Sequence, residues 1–123
     1  ELIQPLVDNL NQKSAIQAVF DYRVGIPSID ADLKLNIYRI IQEQITNILK
    51  HAQASSVDIV LDSDGGFINV VVIDDGKGFE FAENRKGIGI TNMINRIESF
   101  NGEFVLESSP GHGCKLSVRF PAA

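Results

Sequence analysis

A chain of 123 residues with 44% hydrophobic and 22% charged residues supports one packed core rather than two, and is too apolar to be mainly disordered. Eleven Lys plus Arg against sixteen Asp plus Glu give a net charge of −5 without a basic cluster, which argues against nucleic-acid and anionic-membrane partners. No apolar run approaches the ~20 residues of a transmembrane helix. No signal peptide is visible in these residues, and Cys114 as the one cysteine excludes an internal disulfide or a Cys-based zinc site. That cysteine usage suits a reducing, cytoplasmic setting. The chain begins at Glu1 and its one methionine is Met93, as expected of a piece cut from a longer protein.

Residues 2–12 place Leu2, Leu6 and Leu10 four apart, with Ile3 and Val7 beside them, which predicts a helix with Pro5 tolerated near its first turn. Residues 16–24 mix β-branched and aromatic side chains and predict a strand, broken by Gly25, Pro27 and Ser28. Asp30 is placed to cap the next helix. Over 31–52, Ile37, Ile41, Ile45, Ile48 and Ala52 recur at three- and four-residue steps, predicting the longest helix. Residues 57–62 and 67–73 flank Asp64-Gly65-Gly66 and predict a hairpin. The run 74–89 is rich in glycine and charge and reads as a mobile loop. A helix is expected again from Ile90, with Met93, Ile97 and Phe100 on one face and Asn101-Gly102 as its stop. Residues 103–108 and 114–120 predict the last two strands, joined through Ser109–Gly113. The expected fold is therefore α+β in two layers: a mixed, largely antiparallel sheet of about five strands with three helices on one face.

Four segments carry candidate chemistry. On the long helix, Glu43, Asn47, Lys50 and His51 stand three and four residues apart, opposite the isoleucine stripe. Glu and Asn offer hard oxygens to magnesium, and Lys offers charge to phosphate; the plainer alternative is a solvated face with an Arg39–Glu43 pair. Asp74-Asp75-Gly76-Lys77-Gly78 follows the apolar strand end, where a carboxylate can accept from an exocyclic amine and glycine lets backbone approach a flat ligand; a solvent turn is the alternative. Gly87-Ile88-Gly89-Ile90 sits where the loop becomes a helix, so its N–H groups can meet phosphate oxygens. It lacks both the dinucleotide fingerprint and the Gly-Lys-Ser/Thr of a P-loop. Gly111-His112-Gly113-Cys114 opens the last strand. An EF-hand over Asp62-Ser63-Asp64-Gly65 is excluded, since Ile73 stands where a bidentate Glu is required. Cys114 with His51 or His112 as a nucleophile pair has no local signature.

In this order and at these intervals the four segments resemble the ATP-binding domain of sensor histidine kinases in the GHKL ATPase superfamily, over about residues 1–121. Gln42–Ala52 is similar to the N box of the nitrate-sensor and desaturase-regulator branch. Asp74-x-Gly76-x-Gly78, Gly87-x-Gly89 and Gly111-x-Gly113 are similar to the three glycine boxes.

The resemblance implies a Bergerat-type two-layer sandwich forming a single domain over 1–123. It implies ATP and Mg2+ as ligands, with Asn47 on the metal and Glu43 as catalytic base or metal-shell ligand. Lys50, His51, Gly87, Gly89 and Ile90 are then expected near phosphate or ribose. Asp74, Gly76, Gly78, Gly113 and Cys114 are expected around the adenine, with 79–89 as lid. Cys114 replaces the usual Thr or Ser, and the 79–86 stretch is short. His51 and His112 both lie inside nucleotide-binding motifs, so the implied phosphoacceptor is a separate helical dimerisation domain, with a response regulator downstream. A non-catalytic nucleotide-binding module and an anti-sigma-type serine kinase are the competing readings; Lys50-His51 argues against the latter.

Overall fold

The computed structural model describes residues 3–25, 29–77, 88–108 and 111–121, with His51, Ala52 and 88–90 described by backbone alone. The expected helix is present as α1 (Ile3–Lys13), and the face it buries is Ile3, Val7 and Leu10, with Leu6 only partly covered. Its end is closed by Ser14, whose N–H and hydroxyl both donate to the Leu10 carbonyl. Asn11 then clamps the following strand. Its Nδ2 donates to the Ala18 carbonyl at 3.0 Å and its Oδ1 accepts from the Ala18 N–H at 2.7 Å. That strand is β1 (Gln17–Arg23).

Helix α2 (Ala31–Asn47) starts as its sequence requires. The Asp30 carboxylate accepts from the Asp32 and Leu33 N–H groups, satisfying two of the orphan donors of the first turn. Leu33, Ile37, Ile40, Ile41 and Ile45 face the core. The sequence predicts one helix to Ala52; the structure instead passes into a π turn at Ile48–Ala52, which ends at Gln53 in the left-handed region with φ 52°. Strands β2 (Ser56–Asp64) and β3 (Phe67–Asp74) form the expected hairpin around Gly65-Gly66. Helix α3 (Ile88–Ser99) begins two residues earlier than its sequence suggests. It closes in a Schellman arrangement: Gly102 N–H donates to the Ile97 carbonyl and Asn101 N–H to the Glu98 carbonyl, with Asn101 at φ 59°. Gly102 is needed for packing, because a Cβ there would stand 2.6 Å from a Phe120 ring carbon and 2.9 Å from Ile97. Strands β4 (Glu103–Ser108) and β5 (Cys114–Pro121) complete the sheet.

The sheet order is β1-β2-β3-β5-β4. The pairs β2/β3, β3/β5 and β4/β5 are antiparallel, and β1/β2 is parallel with α2 as the crossover between them. Period-two alternation gives one buried face, carrying Ala18, Val57, Ile59, Leu61, Ile68, Val70, Val72, Leu116, Val118 and Phe120. It packs on the isoleucine stripe of α2 and on Val7, Met93 and Ile97 in one core. The opposite face is open, with Val19, Ile73 and Val105 exposed. The mixed, two-layer α+β architecture is thus the one anticipated. Among the described residues no helix is long and apolar enough to cross a membrane.

Candidate functional site

Two parts of the fold bring the singled-out residues together. The first is where β3 and β5 meet beneath α2. Asp74 is the last residue of β3, on the buried side of the pleat, and is 5% exposed. Burial pushes its carboxyl above the ordinary 3.8, partly opposed by the Gly76 N–H that donates to Oδ1 at 2.8 Å. Its neighbour Asp75 points the other way. It accepts from the Ser55 and Ser56 N–H groups at 2.7 and 2.9 Å, and these bonds, Ser56 first, hold it below 3.8. One acidic pair thus divides into an inward carboxylate with no ion-pair partner among the described residues and an outward one that ties β3 to the start of β2.

The Gly111–Cys114 segment closes this end. The Gly111 N–H donates to the Lys77 carbonyl, joining the first and third glycine segments through backbone. Gly113 lies at φ +72°, and a Cβ on it would fall 2.4 Å from the Asp74 carbonyl oxygen. Its glycine is therefore required by backbone against backbone. Cys114 faces Asp74 in the β3–β5 register. Its thiol is buried and pushed up to about 11, by desolvation first and then by the Asp74 charge. A cleft of about 490 Å³ opens here, lined among others by Asp74, Ser108, His112 and Cys114. Glu43 and Asn47 lie outside that lining.

The second part is the C-terminal end of α2. Glu43 and Asn47 are half-buried and Lys50 is exposed. No ion pair joins Arg39 to Glu43; among the described residues the ion pairs are Arg23–Asp21 and Arg119–Asp64. The Nδ2 of Asn47 is buried with no hydrogen-bond partner. The expected projection of all four residues from one side assumes a straight α-helix. The π turn from Ile48 inserts extra backbone after Asn47, so Lys50 and His51 follow a different spacing. Gly89 falls inside the first turn of α3 rather than ahead of it, as does Ile90, where the helix was expected to begin. Gly78, Gly87 and the lid residues 79–87 lie outside the described residues, as do the side chains of His51 and Ile90. No group of three His, Cys, Asp or Glu side chains forms a metal cluster among the described residues.

Sequence reasoning missed Gln44. It is 2% exposed, and its Nε2 reaches across the layers to donate to Cys114 Sγ at 3.8 Å. The signal was available: Gln44 stands three residues after Ile41 and four before Ile48, a polar side chain in the core register of an apolar stripe.

Residues 32–123 match the family of histidine kinase-, DNA gyrase B- and HSP90-like ATPases, and the chain belongs to that family. It is 37% identical over 94 residues to the sensor histidine kinase ComP of Bacillus subtilis (strain 168), covering 74% of this chain and 12% of that protein. To the sensor histidine kinase YdfH of the same organism it is 30% identical over 125 aligned positions, covering 98% of this chain and 30% of that protein. The fold is shared with the histidine kinase domain of the Erythrobacter litoralis EL346 blue-light activated histidine kinase, at a TM-score of 0.72 and 20% identity over 98% of this chain and 58% of that one. The chain spans 12–30% of the length of the two sequence relatives.

Proposed function

We propose that this chain is the ATP-binding catalytic domain of a two-component sensor histidine kinase, holding ATP with Mg2+ between the β3–β5 strand ends and the end of α2. The observation that carries the reading is the inward carboxylate of Asp74, without an ion-pair partner among the described residues and buried beside Cys114 at the cleft that a planar base would enter. Family membership and the sensor-kinase relatives support it.

Asp74 accepts the exocyclic amine of adenine. Gly76 holds that carboxylate in place through its N–H, and Gly113 lets the backbone close behind it. At the other end, Asn47 presents a carboxamide that the protein leaves half unused. Its oxygen suits Mg2+, which takes one or two protein oxygens and fills the rest of its shell from phosphates and water; its orphaned N–H suits a phosphate oxygen. When bound, the metal offsets charge on the phosphates. Lys50, His51 and the backbone of Gly87, Gly89 and Ile90 complete the phosphate side, with Gly78 giving room at the base.

The phosphoacceptor is a histidine on a separate helical dimerisation domain. Its imidazole nitrogen bonds to the γ-phosphorus as the bond from phosphorus to the β–γ bridging oxygen breaks. ADP leaves, and Glu43 takes the imidazole proton. A response regulator then accepts the phosphoryl group, in the cytoplasm.

Titration with ATP and Mg2+ tests binding: a saturable heat that ADP competes away is expected, and no heat with either nucleotide overturns the reading. With a supplied phosphoacceptor domain, Glu43→Gln is expected to keep ATP binding and lose most transfer. Full transfer by that variant removes Glu43 as base.

A further inference from the structure

Among the described residues the core contains three buried polar or charged side chains, Asn36, Gln44 and Asp74. Asn36 is accounted for: its Nδ2 donates to the Arg96 carbonyl at 2.7 Å and fixes α3 on α2. Asp74 belongs to the candidate base site. Gln44 occupies a position where leucine would fill the same space without the cost of burying a carboxamide. Among the described residues its side chain bonds to a thiol, a weak acceptor, at 3.8 Å. Packing alone gives no reason for a glutamine here.

Resting on the nucleotide-site reading above, the geometry points to Gln44 as a positioning residue for base selectivity. Its carboxamide holds the Cys114 thiol so that the S–H faces the purine beside the Asp74 carboxylate. A thiol has one proton, and a Gln44 N–H directed at the sulfur turns that proton away from the helix. With its pKa raised to about 11, the thiol keeps this proton at neutral pH. Ser108, opposite Cys114 in the β4–β5 register, donates its hydroxyl to the Gly113 carbonyl at 2.8 Å and also lies in hydrogen-bond reach of the thiol, so Ser108 and Gln44 flank the sulfur from two sides.

The outcome is an acceptor beside a donor at directly paired positions of the two strands, Asp74 and Cys114. Adenine presents the complement on its Watson–Crick edge, an amine N–H beside the N1 lone pair. Guanine presents the reverse, the O6 acceptor beside N1–H, and is mismatched at both atoms.

The test is a double-mutant cycle read as the ratio of ATP to GTP affinity, measured by competition with a fluorescent nucleotide. The unmodified chain prefers ATP. Gln44→Leu keeps volume and removes the donor, and is expected to lower the ratio roughly three- to tenfold, the span of one modest hydrogen bond. Its melting temperature is expected to be unchanged or higher. Gln44→Met repeats the test with an unbranched side chain. Cys114→Ala lowers the ratio by a similar factor, and adding Gln44→Leu to it lowers the ratio no further, because Gln44 acts through the thiol. Equal loss of ATP and GTP affinity in Gln44→Leu shows a structural role only and overturns the inference. Multiplicative losses in the double variant overturn it as well. An unmodified chain that binds neither nucleotide overturns the nucleotide-site reading itself, and this inference with it.

Discussion

The strand ends and the helix end of the site are built in different ways. At the β3–β5 end the protein supplies its own partners: Gly76 to Asp74, Lys77 to Gly111, Gln44 to Cys114. The Asp74 carboxylate and Cys114 thiol that they hold sit opposite each other in the β3–β5 register. At the end of α2 the helix widens into a π turn, Asn47 leaves a buried N–H without a partner and Lys50 extends into solvent. Polar groups left unpaired in this way are costly unless something completes them. On the proposed reading, the base end is built by the chain itself, whereas the phosphate end is completed by what binds.

The strongest way to break the comparison is at Gly113. In Gly113→Ala a methyl group is driven toward the Asp74 carbonyl, 2.4 Å away, at a φ of +72° that other residues rarely adopt. The backbone conformation alone costs about 1–3 kcal/mol. The variant is expected to melt earlier and to lose ATP and adenosine binding together, as differential scanning fluorimetry and calorimetry report. Next is Asp74. Asp74→Ala is expected to cost about 1.5–3 kcal/mol of ATP binding, the range for a hydrogen bond to a charged group.

The Asp74–Asp75 pair sharpens the comparison through pH, with opposite signs. Asp74 has its folded pKa raised, so its contribution to stability is present below 3.8 and is lost as pH rises through the folded value. The advantage in melting temperature of Asp74→Asn over the unmodified chain is therefore expected to grow from acid to neutral pH. Asp75 has its folded pKa lowered, so its contribution is present above 3.8 and is lost as pH falls through the folded value. The deficit of Asp75→Asn is expected at neutral pH and shrinks on acidification. Thermal melts of the two variants across that range check both signs. The smallest effect belongs to Lys50, exposed on the π turn: Lys50→Ala is expected to lower ATP affinity only severalfold, and less at high salt, by titration at two ionic strengths.

Much of the fold was legible because its signals are local. Asp30 before the apolar stripe marked the start of α2, Asp64-Gly65-Gly66 the hairpin, and Asn101-Gly102 the stop of α3. The parallel β1/β2 pair was less legible, since no turn joins its strands and the pairing depends on how α2 crosses the sheet. The π turn was hidden because Ile48 and Ala52 continue the α-helical spacing; only the backbone departs from it. At the site, Asp74 was singled out from its place at a strand end, and the structure buries it there. Its separation from Asp75 follows from pleat alternation, which puts neighbours on opposite faces. Gln44 was overlooked because its neighbours in the motif carry the recognisable chemistry, although its register in the apolar stripe marked it as buried. Gly113 was placed near the adenine by the family resemblance; the structure adds that its missing Cβ is needed against the Asp74 backbone.

The central claim is that the two ends are separable, one preformed and one completed by phosphate. Calorimetric titration of adenosine, ATP alone and ATP with Mg2+ against the unmodified chain and Asn47→Ala tests it most directly. The account predicts that adenosine binds both proteins with the same affinity, while the gain from adding phosphates and Mg2+ is largely lost in the variant. A variant that loses adenosine and ATP·Mg2+ affinity by the same factor would contradict it.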